Sequence, residues 1–129
     1  MSFILVPSEG EDLQVNAWNW RPTLELLFAA GVITEEEHGL LGCCGCGGRV
    51  TAEKAGRIAD AVMRKLASMN PGQRMLADLS VSSEPKKLAE FNPNSNDENI
   101  DSNELYSTTF EWLDTFVKFC RSSQGFHVL

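Results

Sequence analysis

Basic residues are scarce in this chain: its 129 residues hold 11 Lys and Arg against 18 Asp and Glu, a formal net charge of −7. A surface of that sign repels phosphate backbones and anionic lipid, which excludes nucleic acid and membrane surfaces as partners. Long apolar runs are missing too. The N-terminal stretch MSFILVP has no basic region and too few apolar residues for a signal core, and nothing later approaches transmembrane length. The chain therefore reads as a soluble cytoplasmic protein. Histidine occurs only at His38 and His127. No second C-x-x-C or paired His follows the cysteine cluster, so a full set of structural zinc ligands is not spelled out. Neither a Walker glycine loop nor a dinucleotide-binding glycine pattern is visible, and there is no internal repeat.

What is present suffices for one domain, residues 1–129, with roughly two-thirds of the unfolded surface buried on folding. Residues 50–69, VTAEKAGRIADAVMRKLASM, carry the strongest pattern. Ala55, Ile58, Ala59, Val62, Met63, Leu66 and Met69 recur at three- and four-residue steps and gather on one helical face. Thr51 is a good N-cap, Glu53 suits the positive end of the dipole, and Arg64 and Lys65 suit the negative end. Asn70-Pro71-Gly72 stops the helix. This predicts a central helix at 51–69, with Glu53/Arg57 and Asp60/Arg64 paired along its exposed face.

Around it, Pro22 suits the first turn of a helix over 22–30, preceded by an extended run from Leu13 to Trp20. Thr34 with Glu37 matches a capping box and predicts a short helix at 35–41 ended by Gly42. Thr108 with Glu111 offers another, opening a helix to about Ser122. Met75, Leu76 and Leu79 fit either one helical turn or an extended run. Residues 92–103, NPNSNDENIDSN, read as an exposed, mobile loop. The apolar runs Phe3 to Val6 and Phe126 to Leu129 are short enough to pair with one another. The expected fold is mainly α, about four helices around the central one, with at most a small β element from the two termini.

Two groups of residues could carry chemistry. Cys43 and Cys46 have the C-x-x-C spacing that presents two thiolates to zinc, or one reactive thiol beside Arg49. The same glycine-rich loop could instead hold an anion on bare amides, or be structural only. The cysteines are too close together to link distant parts of a secreted fold, which favours reduced thiols. The second group is Trp18, Trp20, Arg21, Arg49 and Arg121, aromatic and guanidinium side chains of the kind that anchor interfaces. Arg21, Arg49 and Arg121 stand beside turns with no acidic residue three or four positions back. They serve either as ties to backbone carbonyls or, converging beside a tryptophan, as a pocket for a carboxylate or phosphate. Trp112 and Phe119 lie off the inner stripe of the last helix, which is then buried on two sides or exposes an apolar one.

WNWRP at 18–22, GGRV at 47–50 leading into the central helix, and FCRSSQGF at 119–126 together resemble a family of small uncharacterised bacterial proteins. The resemblance spans most of the chain. It implies a soluble bacterial domain and brings no activity, cofactor or catalytic residue to these positions. The functional expectation is a non-enzymatic binding or regulatory module whose partner is a protein or a small anionic ligand. The acidic balance suits one version, docking onto a basic protein as inhibitors and immunity proteins of nucleases do. The alternative is a metal-binding or thiol-dependent enzyme centred on the Cys43–Cys46 loop, with zinc as its one candidate cofactor.

Overall fold

The computed structural model of the protein describes residues 2–43, 46–83 and 107–129, so the loop expected at 92–103 lies outside the described residues. The chain opens with an antiparallel pair, β1 (Ser2–Pro7) and β2 (Leu13–Asn16), in which Phe3 faces Val15 and Leu5 faces Leu13. At the other terminus β7 (Phe126–Val128) pairs with β1 on one side and with β3 (Arg49–Val50) on the other, giving a sheet in the order β2-β1-β7-β3. Alternation along a strand sends every second side chain to one face. Here that face collects Phe3, Leu5, Val15, Val50, Phe126 and Val128, all buried.

A second antiparallel sheet joins β5 (Val81–Ser82), β4 (Arg74–Leu76) and β6 (Ser107–Thr109) in that order. The Met75, Leu76 and Leu79 stretch is thus a strand and its turn, closed by the Leu76 N–H donating to Ser80 O at 2.8 Å and tied to the neighbouring helix by Lys65 Nζ on Leu79 O. These two sheets overturn the mainly α expectation: the protein is a small α/β structure. The helices carried the periodicity, whereas most of these strands are two to four residues long. Three of the pairings, β1 with β7, β3 with β7 and β4 with β6, join segments far apart in sequence, where a local pattern does not reach.

Four helices are present among the described residues: α1 (Ala17–Ala29), α2 (Glu35–Leu41), α3 (Ala52–Leu66) and α4 (Phe110–Ser123). Helix α1 starts five residues before the expected Pro22. Asn16 caps it, its side chain accepting from the Asn19 N–H at 3.0 Å, and Pro22 sits inside. An interior proline costs about 3 kcal/mol. Burial of Trp20, Leu24 and Leu27 on this helix outweighs that cost, at about 1.5–3 kcal/mol for each large apolar side chain.

Helix α3 forms behind Thr51, which accepts from Lys54 N–H at 3.2 Å, and buries Ala55, Ile58, Ala59, Ala61, Val62 and Leu66. It ends at Leu66 rather than Met69, and Met63, expected on the inner face, is 45% exposed. Helix α4 is capped by Thr109, one residue later than expected; Thr108 is buried in β6 instead. The end of α4 returns to the start of α3 through Gln124 and Gly125, both left-handed, at φ 57° and 96°. A Cβ on Gly125 would stand 2.8 Å from Val50 O, so glycine is required there on two counts. Ring contacts tie the layers together. Trp20 and Phe116 meet edge-on at 5.7 Å, and Phe116 meets Phe126 of the first sheet at 6.3 Å. Among the described residues, no helix is long and apolar enough to cross a membrane.

Candidate functional site

Helices α1 and α2 form a hairpin whose geometry follows from three local features. Gly31 turns the chain at φ 74°, Val32 and Ile33 bury themselves as an anchor, and Thr34 with Glu37 makes the full capping box that starts α2. The far end of α2 is fixed by Trp20, whose indole Nε1 donates to Leu41 O at 2.8 Å. An indole buried in a core finds such a partner as a rule. Glu37 also takes an ion pair from Lys54 of α3. The Lys54 hydrogen bond, followed by that from the Thr34 backbone, holds the Glu37 carboxyl below its usual value.

This arrangement leaves a row of α1 side chains facing outward beside α2. Arg21, Glu25 and Phe28 follow at steps of four and three, one stripe of a helix. His38 of α2 reaches this stripe, with Nε2 2.8 Å from Glu25 Oε1 and its ring edge-on to Phe28 at 5.4 Å. A hollow of about 240 Å³ lies here, lined by Arg21, Leu24, Glu25, His38, Gly39 and Gly42. Phe28 is 43% exposed and Leu40 of α2 is 42% exposed. Glu35 and Glu36 are exposed in the first turn of α2 and have no ion-pair partner among the described residues.

Chemically the hollow offers a cation, a carboxylate, an imidazole and the apolar Leu24, without a serine, threonine or cysteine in its lining to serve as nucleophile. Such a mixture suits recognition of a complementary surface. The Glu25–His38 pair is itself half-exposed, so it contributes at most about 1 kcal/mol to stability.

The expected site residues are distributed as follows. Trp20 is fully buried and belongs to the core, so it presents no surface to a ligand, while Trp18 is half-buried in the first turn of α1. Arg21 lines the α1–α2 hollow. Arg121 lines a different one, of about 200 Å³, with Ala52, Gly56, Cys120 and Gln124, and its guanidinium donates to Asp60 Oδ1 at 3.1 Å. Asp60 therefore serves α4, and Arg64, expected to pair with its carboxylate, reaches only the Asp60 backbone carbonyl at 3.5 Å. Arg49 is exposed on β3 opposite His127 and lines neither hollow. Trp112 and Phe119 are half-buried and packed, Trp112 stacked on Phe116 at 5.2 Å and Phe119 against Phe126 at 5.4 Å. The last helix is thus covered on two sides.

Cys43 and Cys46 are joined in a disulfide, which corrects the expectation of reduced thiols. A disulfide offers no thiolate, so zinc binding would require the reduced pair and two further ligands. Among the described residues no group of three or more His, Cys, Asp or Glu is placed to supply them. The pair also follows the C-terminus of α2, the negative end of a helix dipole, whereas catalytic C-x-x-C thiolates draw on a positive N-terminus. Cys120, the free cysteine among the described residues, is buried, and that burial pushes its thiol up to about 12.

Helical spacing counted from Pro22 puts Phe28 with Leu24 and Leu27 on an inner stripe; the structure leaves it 43% exposed, and spacing gives no sign of its grouping with Glu25 and His38. The stripe of Arg21, Glu25 and Phe28 becomes visible once α1 is started at Asn16 rather than Pro22. The Glu25–His38 contact, thirteen residues apart, has no local signal. A scan against protein-family models, a search of curated proteins and a search of solved structures each gave no match.

Proposed function

We propose that the protein is a non-enzymatic binding module that docks a basic protein partner through the α1–α2 surface, in the manner of an inhibitor or immunity protein. The observation that carries this reading is the coincidence on one hairpin of two exposed large apolar side chains, Phe28 and Leu40, with the carboxylates of Glu35 and Glu36, which have no ion-pair partner among the described residues. Apolar anchors inside a charged rim are the usual anatomy of a protein interface. Residues 17–41 contain four Glu against one Arg, so the field there attracts cationic surfaces and speeds their encounter. Arg21 and the Glu25–His38 pair add polar contacts that fix register.

The test compares wild-type protein with Phe28→Asp and with the double variant Glu35→Lys, Glu36→Lys as bait in extract of the native cell. Wild type retains a basic protein at low salt and releases it progressively above about 0.15 M, where screening shortens to roughly 8 Å. Both variants, folded by circular dichroism, lose it. Equal retention by all three baits would remove this surface from the proposal.

A further inference from the structure

We propose that the Cys43–Cys46 disulfide is a reversible exchange site, opened and re-formed in the folded protein by a small or protein-borne dithiol. The chain leaves α2 at Gly42 and meets the first sheet after Gly48, and each end is held independently of the sulfur bridge. On the helix side Trp20 Nε1 donates to Leu41 O at 2.8 Å, and the Gly42 N–H donates to His38 O at 3.1 Å. On the sheet side the Val128 N–H donates to Gly48 O at 2.8 Å, and β3 pairs with β7. Gly48 also lies against the end of α2: a Cβ there would stand 3.0 Å from both Leu40 O and Leu41 Cδ2.

Between these anchors the bridge links residues three apart, with Cα atoms 5.4 Å from each other. A loop that small removes little freedom from the unfolded chain compared with a long one. Opening it therefore leaves the fold in place. Cys46 is exposed and Cys43 half-buried, so a reductant reaches the bridge without unfolding. This inference does not depend on the docking surface.

The exchange runs in two displacements. A reductant thiolate attacks Cys46 Sγ, the S–S bond breaks, and its electron pair passes to Cys43 Sγ, which takes up a proton. The second thiol of the reductant, as thiolate, then attacks the mixed disulfide and releases Cys46 Sγ, which is protonated in turn. The dithiol leaves as its own disulfide, so two electrons and two protons have passed to the protein. The negative end of α2 disfavours thiolates beside it, which makes the couple a reducing one, so opening the bridge takes a strongly reducing dithiol and a mild oxidant re-forms it.

The experiment uses the full chain carrying Cys44→Ser, which prevents reshuffling, purified without reductant. Protein in native buffer is treated with dithiothreitol, quenched with N-ethylmaleimide and mapped by peptide mass spectrometry, with far-UV circular dichroism in parallel. The expected result is no label at Cys43 or Cys46 before treatment and label at both afterwards. Cys120 stays unlabelled, the helical signal is retained, and Tm moves by less than about 5 °C, the shift of roughly 1 kcal/mol in a domain of this size. Removing the dithiol and adding oxidised glutathione restores the unlabelled state. Label at both cysteines before reduction would overturn the proposal. So would reduction that proceeds only together with exposure of Cys120, or a loss of helical signal on reduction.

Discussion

The two helix pairs of this protein solve the same packing problem and leave different surfaces behind. Helices α3 and α4 pack along one another and carry two ion pairs of their own, Arg121 on Asp60 and Lys118 on Asp114. Met63 is their one large apolar residue among the exposed ones. Helices α1 and α2 bury an inner side as well, yet they leave Phe28, Leu40, Glu35 and Glu36 exposed and carry a hollow lined by Arg21, Glu25 and His38. The first pair is organised for stability, and the second has surface to spare for a partner. Substitutions on each pair should therefore separate stability from recognition.

The largest effect belongs to α3. Leu66→Asp places an unpaired charge on a face where Leu66 is 8% exposed, and the variant should lose cooperative thermal unfolding altogether, a cost above about 3 kcal/mol. A Tm close to the wild-type value would show that α3 does not organise the core. Next comes the return from α4. Gly125→Ala combines a positive φ with a Cβ 2.8 Å from Val50 O, and urea unfolding should register a loss of about 2–3 kcal/mol. Phe28→Asp, on the other pair, should change stability by no more than about 0.5 kcal/mol in the same assay.

A smaller, pH-dependent effect sharpens the comparison, because it concerns the link between the two pairs. Glu37 has its pKa lowered by Lys54, so its contribution is present above the ordinary carboxylate value near 4.5 and is lost as pH falls through the lower folded value. Lys54→Met should therefore destabilise at pH 7, by about 1 kcal/mol or less, and by less still at pH 3. A penalty that is the same at both pH values would mean that the ion pair contributes nothing. Cys120 provides the smallest signal. With its thiol near 12, native protein at pH 8 should resist iodoacetamide at this position until denaturant is added.

Local chemistry made some of this legible in advance and left the rest hidden. The periodicity of Ile58, Ala59, Val62 and Leu66 marks α3, and Thr34 with Glu37 marks α2 to the residue. Proline misleads: Pro22 suits a helix start, but Asn16 already caps α1 and the core around Trp20 holds the helix together. Arg121 has no acidic neighbour at helical spacing because its partner, Asp60, sits 61 positions back on another helix. The pairings of β7 with β1 and β3, that of β4 with β6 and the Glu25–His38 contact share that property: they join separate segments of the chain, where spacing rules carry no information. Trp20 was legible as important but not as buried, because a tryptophan in a core and one at an interface look alike in sequence.

The central claim is that the α1–α2 face, and not the α3 face, meets a partner. It is tested most directly by placing a photo-crosslinking benzoyl-phenylalanine at position 28 or at position 63 and irradiating the native cell. Position 28 should yield a covalent adduct with a basic protein, weakened when Glu35 and Glu36 are replaced by lysine, and position 63 should yield none. Adducts from position 63 alone, or an adduct at position 28 indifferent to those two glutamates, would contradict it.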